Sequence, residues 1–191
     1  MGSEDGDDDS SPDTLSETVV CIDDAVYFRT EVTPVSTMVL LQRLAEANEN
    51  AIKKSHFPGD ARVFLYIHSG GGDLFAGLSA LDHLRNNRVK VITVADGFVA
   101  SAATLMLLAG AERKALKNAK ILIHQLSTFF AGKYGEMCDE MTNSNELMES
   151  LRSVYQQETN MTAKKVNSML KKEIHINSDE AVKLGVVDEV W

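Results

Sequence analysis

The chain alternates short apolar runs with helical patterns, and this alternation limits the possible folds more than any other feature of the sequence. Apolar runs at residues 63–67, 89–94 and 121–124 are separated by stretches with helical spacing, of which residues 74–86 and 101–109 are the clearest. Continuous apolar strands, each followed by a helix, are typical of a parallel sheet covered on both faces. The sequence therefore predicts an α/β fold with a mostly parallel sheet and covering helices.

Further elements are predicted on both sides of this central region. Two short strands at residues 18–22 and 25–29 precede a helix from Pro34 to about Lys54, because proline is tolerated in the first turn of a helix. The other predictions are a turn at 96–99, a long helix at 134–158, a helix at 163–171, a helix with Ser178 as N-cap and Gly185 as its stop, and a strand at 186–190.

Acidic residues are concentrated at the N-terminus. The 191 residues carry a formal net charge of −9, and seven acids with no Lys or Arg fall within residues 1–17. The remaining residues hold 21 acids and 19 bases, so no basic surface is indicated that would favour nucleic-acid binding as the main task. We predict an acidic disordered tail at 1–17 and a single folded domain at 18–191, because the tail has too few apolar residues to offset its ordering entropy.

Cysteine usage and hydropathy bear on the compartment. Cys21 and Cys138 are too few for a disulfide framework and lack a metal-ligand spacing. The most apolar stretch, residues 97–111, has the length of a core helix and is too short to span a bilayer. We expect a protein of a reducing interior, the cytoplasm or the equivalent space of a plastid or mitochondrion.

Two strand-to-helix junctions have unusual sequences. Three consecutive glycines, Gly70 to Gly72, follow the strand that ends near His68, and they allow a substrate backbone to approach bare N–H groups. The pattern lacks the lysine of a phosphate-binding loop. At the second junction Ser101 lies between small residues before a strongly apolar helix, an arrangement similar to a nucleophile elbow. A tight turn and a helix N-cap remain the structural alternatives for the two junctions.

A serine hydroxyl needs a base to become a nucleophile, and five histidines could supply one. His124 follows an apolar strand and is the best candidate, because strand ends gather functional groups in such sheets. The remaining histidines are His56, His68, His83 and His175. Three of them lie in polar surroundings typical of solvated side chains, and His68 has no assigned role.

Four motifs, in this order and with similar spacing, resemble the proteolytic subunit of the Clp protease family. They are Ile67-His68-Ser69-Gly70-Gly71-Gly72, Gly97-Phe98-Val99-Ala100-Ser101-Ala102, Ile121-Leu122-Ile123-His124-Gln125, and the segment from Ser178 to Asp188. The resemblance extends from about Tyr27 to Val190. It implies the ClpP/crotonase-like fold with a protruding helix-strand handle at about residues 125–158.

The resemblance also implies a set of site residues. Ser101 would be the nucleophile and His124 the general base, while the N–H groups of Gly72 and Ala102 would form the oxyanion hole. The orienting aspartate of the family falls on Glu173, counted back from Glu180. A glutamate can hold an imidazole by its ring N–H as aspartate does, with one more methylene to place.

The chain departs from the family pattern near these residues. The family usually has proline at two positions that differ here, where this chain has Gly70 and Leu126. The usually glycine-rich segment after Leu126 holds Thr128, Phe129 and Phe130. The resemblance implies that this segment lies by the substrate and leads into contacts between rings. The bulky residues therefore bear on substrate preference and on the pairing of rings. On the long helix, Met137, Met141, Met148 and Leu151 recur at helical spacing and are interpreted as packing or subunit contacts.

We therefore expect an ATP-dependent Clp-type serine endopeptidase subunit that hydrolyses peptide bonds of unfolded proteins inside an oligomeric chamber. The resemblance implies two stacked heptameric rings, a tetradecamer. An AAA+ unfoldase partner would bind the ATP. No metal or organic cofactor is expected in this subunit. Nucleic acid and membrane are not expected as partners.

Two alternatives remain open from the sequence. The glutamate in place of aspartate, Leu126 and the phenylalanine pair would also fit a catalytically weak or inactive structural subunit of such a ring. An acyl-CoA hydratase or thioesterase of the crotonase type would explain Gly71 and Gly72 but not the pairing of Ser101 with His124.

Overall fold

The computed structural model describes residues 17–191 and shows an α/β architecture. The predicted tail at 1–17 lies almost entirely outside the described residues. The strands are β1 (Val19–Ile22), β2 (Ala25–Phe28), β3 (Arg62–Ser69), β4 (Lys90–Ala100), β5 (Glu112–Ala115), β6 (Lys120–Leu122), β7 (Ile176–Asn177) and β8 (Glu189–Val190). The helices are α1 (Pro34–Lys54), α2 (Leu74–Arg85), α3 (Ala102–Leu108), α4 (Tyr134–Glu158), α5 (Ala163–Leu170) and α6 (Ser178–Lys183), with a short 3₁₀ turn at Pro58–Asp60.

The sheet is mostly parallel, with strand order β1-β2-β3-β4-β5-β8. Only β1 against β2 and β7 against β6 run antiparallel. On the edge away from β3, strand β4 has two partners in succession, because its first half pairs with β5 and its last three residues pair with β6. The end of β6 is thereby placed beside the end of β4.

A glycine bends β4 between these two partners. From Ile67 to Ser69, β3 advances two residues while the paired part of β4 advances four, from Ala95 to Val99. Gly97 lies in this irregular stretch with φ 83°, a backbone conformation that favours glycine. The predicted turn at 96–99 is therefore wrong, since these residues remain within β4, although the glycine signal does mark a local bend.

Helices α1, α2 and α3 pack over one face of the sheet and build the core. Helix α1 begins with a capping box between Thr33 and Ser36, and its buried residues Leu40, Leu44 and Ala47 follow helical spacing. Every residue of α3 is buried. Contrary to the expected cover on both faces, β3 alternates buried and partly exposed residues, so one face of this strand reaches solvent in the single subunit.

Helix α4 projects from this body, since only Leu151 and Tyr155 of its 25 residues are buried. It forms the helix of the predicted handle. Residues 123–133, which lie within the described part of the chain, adopt no regular structure, so the handle contains no strand in the single subunit. No helix within residues 17–191 is long and apolar enough to cross a membrane.

Two other predictions need correction. Ser178 is the first residue of α6 and not its cap, because the Asn177 side chain accepts the hydrogen bond from the Glu180 N–H while the Ser178 hydroxyl donates to the Leu116 carbonyl. Neither β5 nor the two-residue β7 was predicted from the sequence. Gly185 does end α6, with φ 70°.

Candidate active site

The triple-glycine turn is fixed by strand-like hydrogen bonds with the residues that precede α1. The Val32 N–H donates to the Gly71 carbonyl and the Asp73 N–H donates to the Val32 carbonyl, both at 2.7 Å. Gly71 has φ 99° and Gly72 has φ 142°, so both need a backbone conformation that L side chains rarely adopt. Among the described residues the Gly72 N–H donates to no protein acceptor and remains available to a ligand.

Ser101 joins β4 to α3 in a strained conformation. Its φ of 54° and ψ of −129° are unusual for a non-glycine residue, and such strain costs about 1–3 kcal/mol, which is characteristic of functional sites. The serine caps nothing with its side chain, so the N-cap alternative does not account for it. The next residue, Ala102, begins α3, where the first N–H groups have no partner within the helix.

Gly71 and Ser101 pack directly against each other. A Cβ added at Gly71 would lie 2.5 Å from the Ser101 Cβ and 2.8 Å from the Ala100 carbonyl oxygen. Only glycine permits this approach. The two unusual junctions predicted from the sequence therefore form one structural unit.

His124 reaches the same place from β6. Ala100 pairs with Leu122, and the Ser101 N–H donates to the Leu122 carbonyl at 3.0 Å, so the chain leaves β6 next to Ser101. The strand ends at Leu122, two residues earlier than predicted, and the half-buried His124 lies in the segment that follows. The Gln125 N–H donates to the Leu170 carbonyl at 2.8 Å and anchors this segment.

A cavity of about 300 Å³ brings four of the five predicted site residues together. Gly72, Ser101, Ala102 and His124 all line it. The opposite wall comes from α4, through Glu140, Ser144, Leu147, Leu151 and Tyr155. The cavity therefore lies between the strand-to-helix junctions and the handle helix, where an extended chain could enter.

The predicted triad is not connected by hydrogen bonds in the structure. Within residues 17–191, neither the Ser101 hydroxyl nor the His124 ring takes part in a hydrogen bond. Glu173 is exposed in the segment between α5 and β7 and does not line the cavity. The assignment of Glu173 stays a prediction.

The other histidines lie outside the cavity. The His68 Nδ1 is 2.8 Å from the Asp96 carbonyl oxygen, and its ring packs on Gly97. The exposed His175 ring lies 5.2 Å from the ring of Phe98. Among the described residues no group of three His, Cys, Asp or Glu side chains is arranged to hold a metal ion.

Two buried residues, Thr104 and Tyr155, were not predicted from the sequence to belong to the site, yet both connect to the serine junction, and Tyr155 also lines the cavity. The Tyr155 hydroxyl is 2.5 Å from the Thr104 hydroxyl, which donates to the Ser101 carbonyl at 2.6 Å. Burial raises the pKa of Tyr155 to about 12, against a smaller lowering effect of the hydrogen bond with Thr104. The spacing of Leu147, Leu151 and Tyr155 on one helix face could have indicated the wall they form.

Comparison with known proteins confirms the resemblance. The family model described as "Clp protease" matches residues 14–191. Proteins named "ATP-dependent Clp protease proteolytic subunit" from Dehalococcoides mccartyi strains BAV1 and CBDB1 are each 35% identical over 136 residues. A protein of the same name from Deinococcus radiodurans is 29% identical over 133 residues.

These alignments cover 69% of this chain in all three cases, and 66%, 66% and 65% of the relatives, just under two thirds of their length. The family match extends over all of the described residues. The chain belongs to the Clp protease family.

Proposed function

We propose that the chain is a serine endopeptidase subunit of an ATP-dependent Clp protease. One observation carries the proposal. Ser101, His124, Gly72 and Ala102 line a single cavity, although they come from three separate junctions of the fold. A strained serine beside unpaired N–H donors and an imidazole is an arrangement suited to acyl transfer.

The reaction divides into two steps. His124 accepts the proton of the Ser101 hydroxyl while the Ser101 oxygen attacks a peptide carbonyl, and the carbonyl oxygen becomes an oxyanion held by the N–H groups of Gly72 and Ala102. The carbon–nitrogen bond breaks as His124 returns its proton to the leaving amine. Water then attacks the acyl-enzyme with the same base and restores the Ser101 hydroxyl.

The substrate would bind as an added strand. Within the described chain, the N–H groups of residues 127–131 donate no hydrogen bond, and Ser127 and Thr128 at the start of this segment line the cavity. An extended peptide can pair with such a free backbone edge. Unfolded proteins present extended segments of this kind, which makes them the proposed substrates.

Glu173 is proposed as the third member of the triad, after a rearrangement of the segment that carries it. Catalytic hydrogen bonds are often long or poorly aligned in unliganded enzymes and tighten in the productive complex. The exposed position of Glu173 between α5 and β7 leaves this carboxylate free to move. We propose that assembly brings it to the His124 ring.

Assembly is proposed as two stacked heptameric rings served by an AAA+ unfoldase, in a reducing compartment. The apolar side chains exposed near the start of α4 support contact with other subunits. Phe129 is 92% exposed, Tyr134 85% and Met141 64%. Single subunits rarely leave so many large apolar groups in water on one projection. The proposed peptidase uses no metal or organic cofactor of its own.

An active-site-directed probe tests the proposal. Assembled protein treated with a fluorophosphonate should become labelled at Ser101, and His124→Ala should abolish the labelling. His83→Ala is the matched control, because His83 lies on α2 outside the cavity. Unlabelled Ser101 in well-assembled rings would contradict the proposal and would instead support the inactive ring subunit.

A further inference from the structure

A chain of buried hydroxyl groups connects the handle helix to the serine junction. The Tyr155 hydroxyl on α4 lies 2.5 Å from the Thr104 Oγ1, and Thr104 Oγ1 lies 2.6 Å from the Ser101 carbonyl oxygen. The Thr104 N–H donates to the same carbonyl at 2.9 Å. Thr104 is fully buried and Tyr155 is 1% exposed.

The direction of each hydrogen bond among Tyr155, Thr104 and the Ser101 carbonyl follows from the protons available. A carbonyl oxygen cannot donate, so the single proton of the Thr104 hydroxyl is used in the hydrogen bond to Ser101. The Thr104 oxygen must then accept from Tyr155. Because burial keeps the pKa of Tyr155 near 12, the tyrosine stays protonated and able to donate at physiological pH.

Fixing the Ser101 carbonyl also fixes the Ala102 N–H. The two groups belong to one planar trans peptide and point in opposite directions. Two hydrogen bonds from Thr104 hold the carbonyl toward α3. The Ala102 N–H therefore points away from α3, on the side where Ala102 lines the cavity.

The same contacts oppose relaxation of a strained junction. Ser101 combines φ 54° with ψ −129°, and rotation of the Ser101–Ala102 peptide would change ψ toward the left-handed helical region, which is less strained for a non-glycine residue. Such a rotation would break both hydrogen bonds of the carbonyl and leave buried polar groups without partners. A buried donor or acceptor that loses its partner pays its desolvation cost without compensation, so the rotation is opposed.

We propose that Thr104 and Tyr155 are positioning residues that aim the Ala102 N–H at the oxyanion. The inference rests on the proposed peptidase function. Neither side chain needs to contact the substrate's reacting atoms, since both act through the Ser101–Ala102 peptide. Because Tyr155 lies on α4, the geometry of the oxyanion hole depends on how the handle helix packs against the body.

Substitution of Thr104 tests the inference. Thr104→Val keeps the shape and removes the hydroxyl, and it should lower kcat about 10- to 100-fold with KM little changed, because an oxyanion donor acts in the transition state. Thr104→Ser should restore most of kcat. Affinity for a peptide boronate, which forms a tetrahedral adduct on the serine, should fall with kcat in Thr104→Val.

Thr93→Val is the matched control. Thr93 is also fully buried, and its hydroxyl donates to the Leu107 carbonyl at 2.7 Å at the other end of α3. It does not line the cavity. This variant should lose similar stability in urea unfolding and keep kcat and boronate affinity within about twofold of the wild type.

Tyr155→Phe keeps the packing and carries the test should Thr104→Val not assemble. It should lower kcat and boronate affinity about three- to tenfold, since Thr104 still donates to Ser101. Unchanged kcat and boronate affinity in assembled Thr104→Val, or in Tyr155→Phe, would overturn the inference. A wild type that hydrolyses no peptide, or a Ser101→Ala variant that still does, would instead reject the proposed function.

Discussion

At the scale of single residues, the site depends on a glycine that leaves room for a serine. Gly71 and Ser101 both adopt positive φ, and their Cα positions are so close that no side chain fits at residue 71. The strained backbone of Ser101 thus packs directly against a residue that has no side chain. This explains why the glycine-rich turn and the serine junction occur together.

Gly71→Ala should therefore remove activity. The added Cβ would lie 2.5 Å from the Ser101 Cβ at φ 99°, so Ser101 must shift. We expect kcat to fall at least about 100-fold, because misplacement by about 1 Å can cost that much, and stability to fall by about 1–3 kcal/mol. Gly70→Ala is the matched control, because a Cβ there meets no atom within 4 Å. Equal kcat in both variants, measured on assembled protein, would contradict the account.

The raised pKa of Tyr155 predicts that the stability of the fold depends on pH. Its pKa is raised to about 12 in the folded chain against about 10 when unfolded, so the unfolded state loses this proton first as the pH rises. The contribution of the buried Tyr155 hydroxyl to the free energy of unfolding is complete below pH 10 and is lost as the pH rises through 12. It amounts to about 2–3 kcal/mol. Urea unfolding from pH 9 to 11.5 should show a steeper decline for the wild type than for Tyr155→Phe, and parallel curves would contradict the buried donor.

At the scale of elements, the strands and helices with strong patterns were predictable. Helix α1 was predicted at its observed bounds, because a proline start and a regular apolar face act locally. Strand β5 was missed because Glu112-Arg113-Lys114-Ala115 has no strand pattern, and its pairing with β4 and β8 determines it. Residues 96–99 were predicted as a turn for a similar reason, since tertiary pairing overrides the local glycine signal.

The candidate site was predictable where it follows strand ends. Gly72, Ser101, Ala102 and His124 line one cavity because parallel strands place their carboxyl ends at one edge of the sheet. The wall from α4 was not predicted, because it depends on how a distant helix packs. The contact of Tyr155 with Thr104 joins residues 51 positions apart, and no local pattern indicates such a contact.

The segment between α5 and β7 must carry Glu173 to His124 if the triad is complete. Glu173→Gln should then lower kcat at least about tenfold, because an amide holds the imidazole less well, while Glu173→Asp should retain more activity. Glu146→Gln is the matched control, since Glu146 is an exposed acid on α4 outside the cavity. Peptide hydrolysis by assembled protein measures the effect. Equal rates for Glu173→Gln and Glu146→Gln would remove Glu173 from the triad.

At the scale of the whole molecule, α4 divides its apolar residues between two environments. Leu151 is buried and Met148 packs partly against the core, whereas Met137 and Met141 are 52% and 64% exposed. The predicted methionine and leucine face thus packs against the body at one end and is uncovered at the other. The uncovered end is where we expect a neighbouring subunit.

Met141→Asp should weaken assembly. A charge in an apolar subunit contact must be desolvated without a partner, which is strongly unfavourable. Sedimentation velocity should show a smaller assembled fraction at a given concentration, with the folded subunit retained. Asn143→Asp, an exposed polar position on the same helix, should assemble normally. An unchanged assembled fraction for Met141→Asp would place the contact elsewhere.

The central claim is that the Ser101 oxygen attacks the peptide carbonyl. The most direct measurement is peptide hydrolysis by assembled Ser101→Ala beside assembled wild type, with the assembled fraction of each determined in the same sample. The account predicts turnover by the wild type and none above background by the variant. Turnover by the variant at the wild-type rate would contradict it.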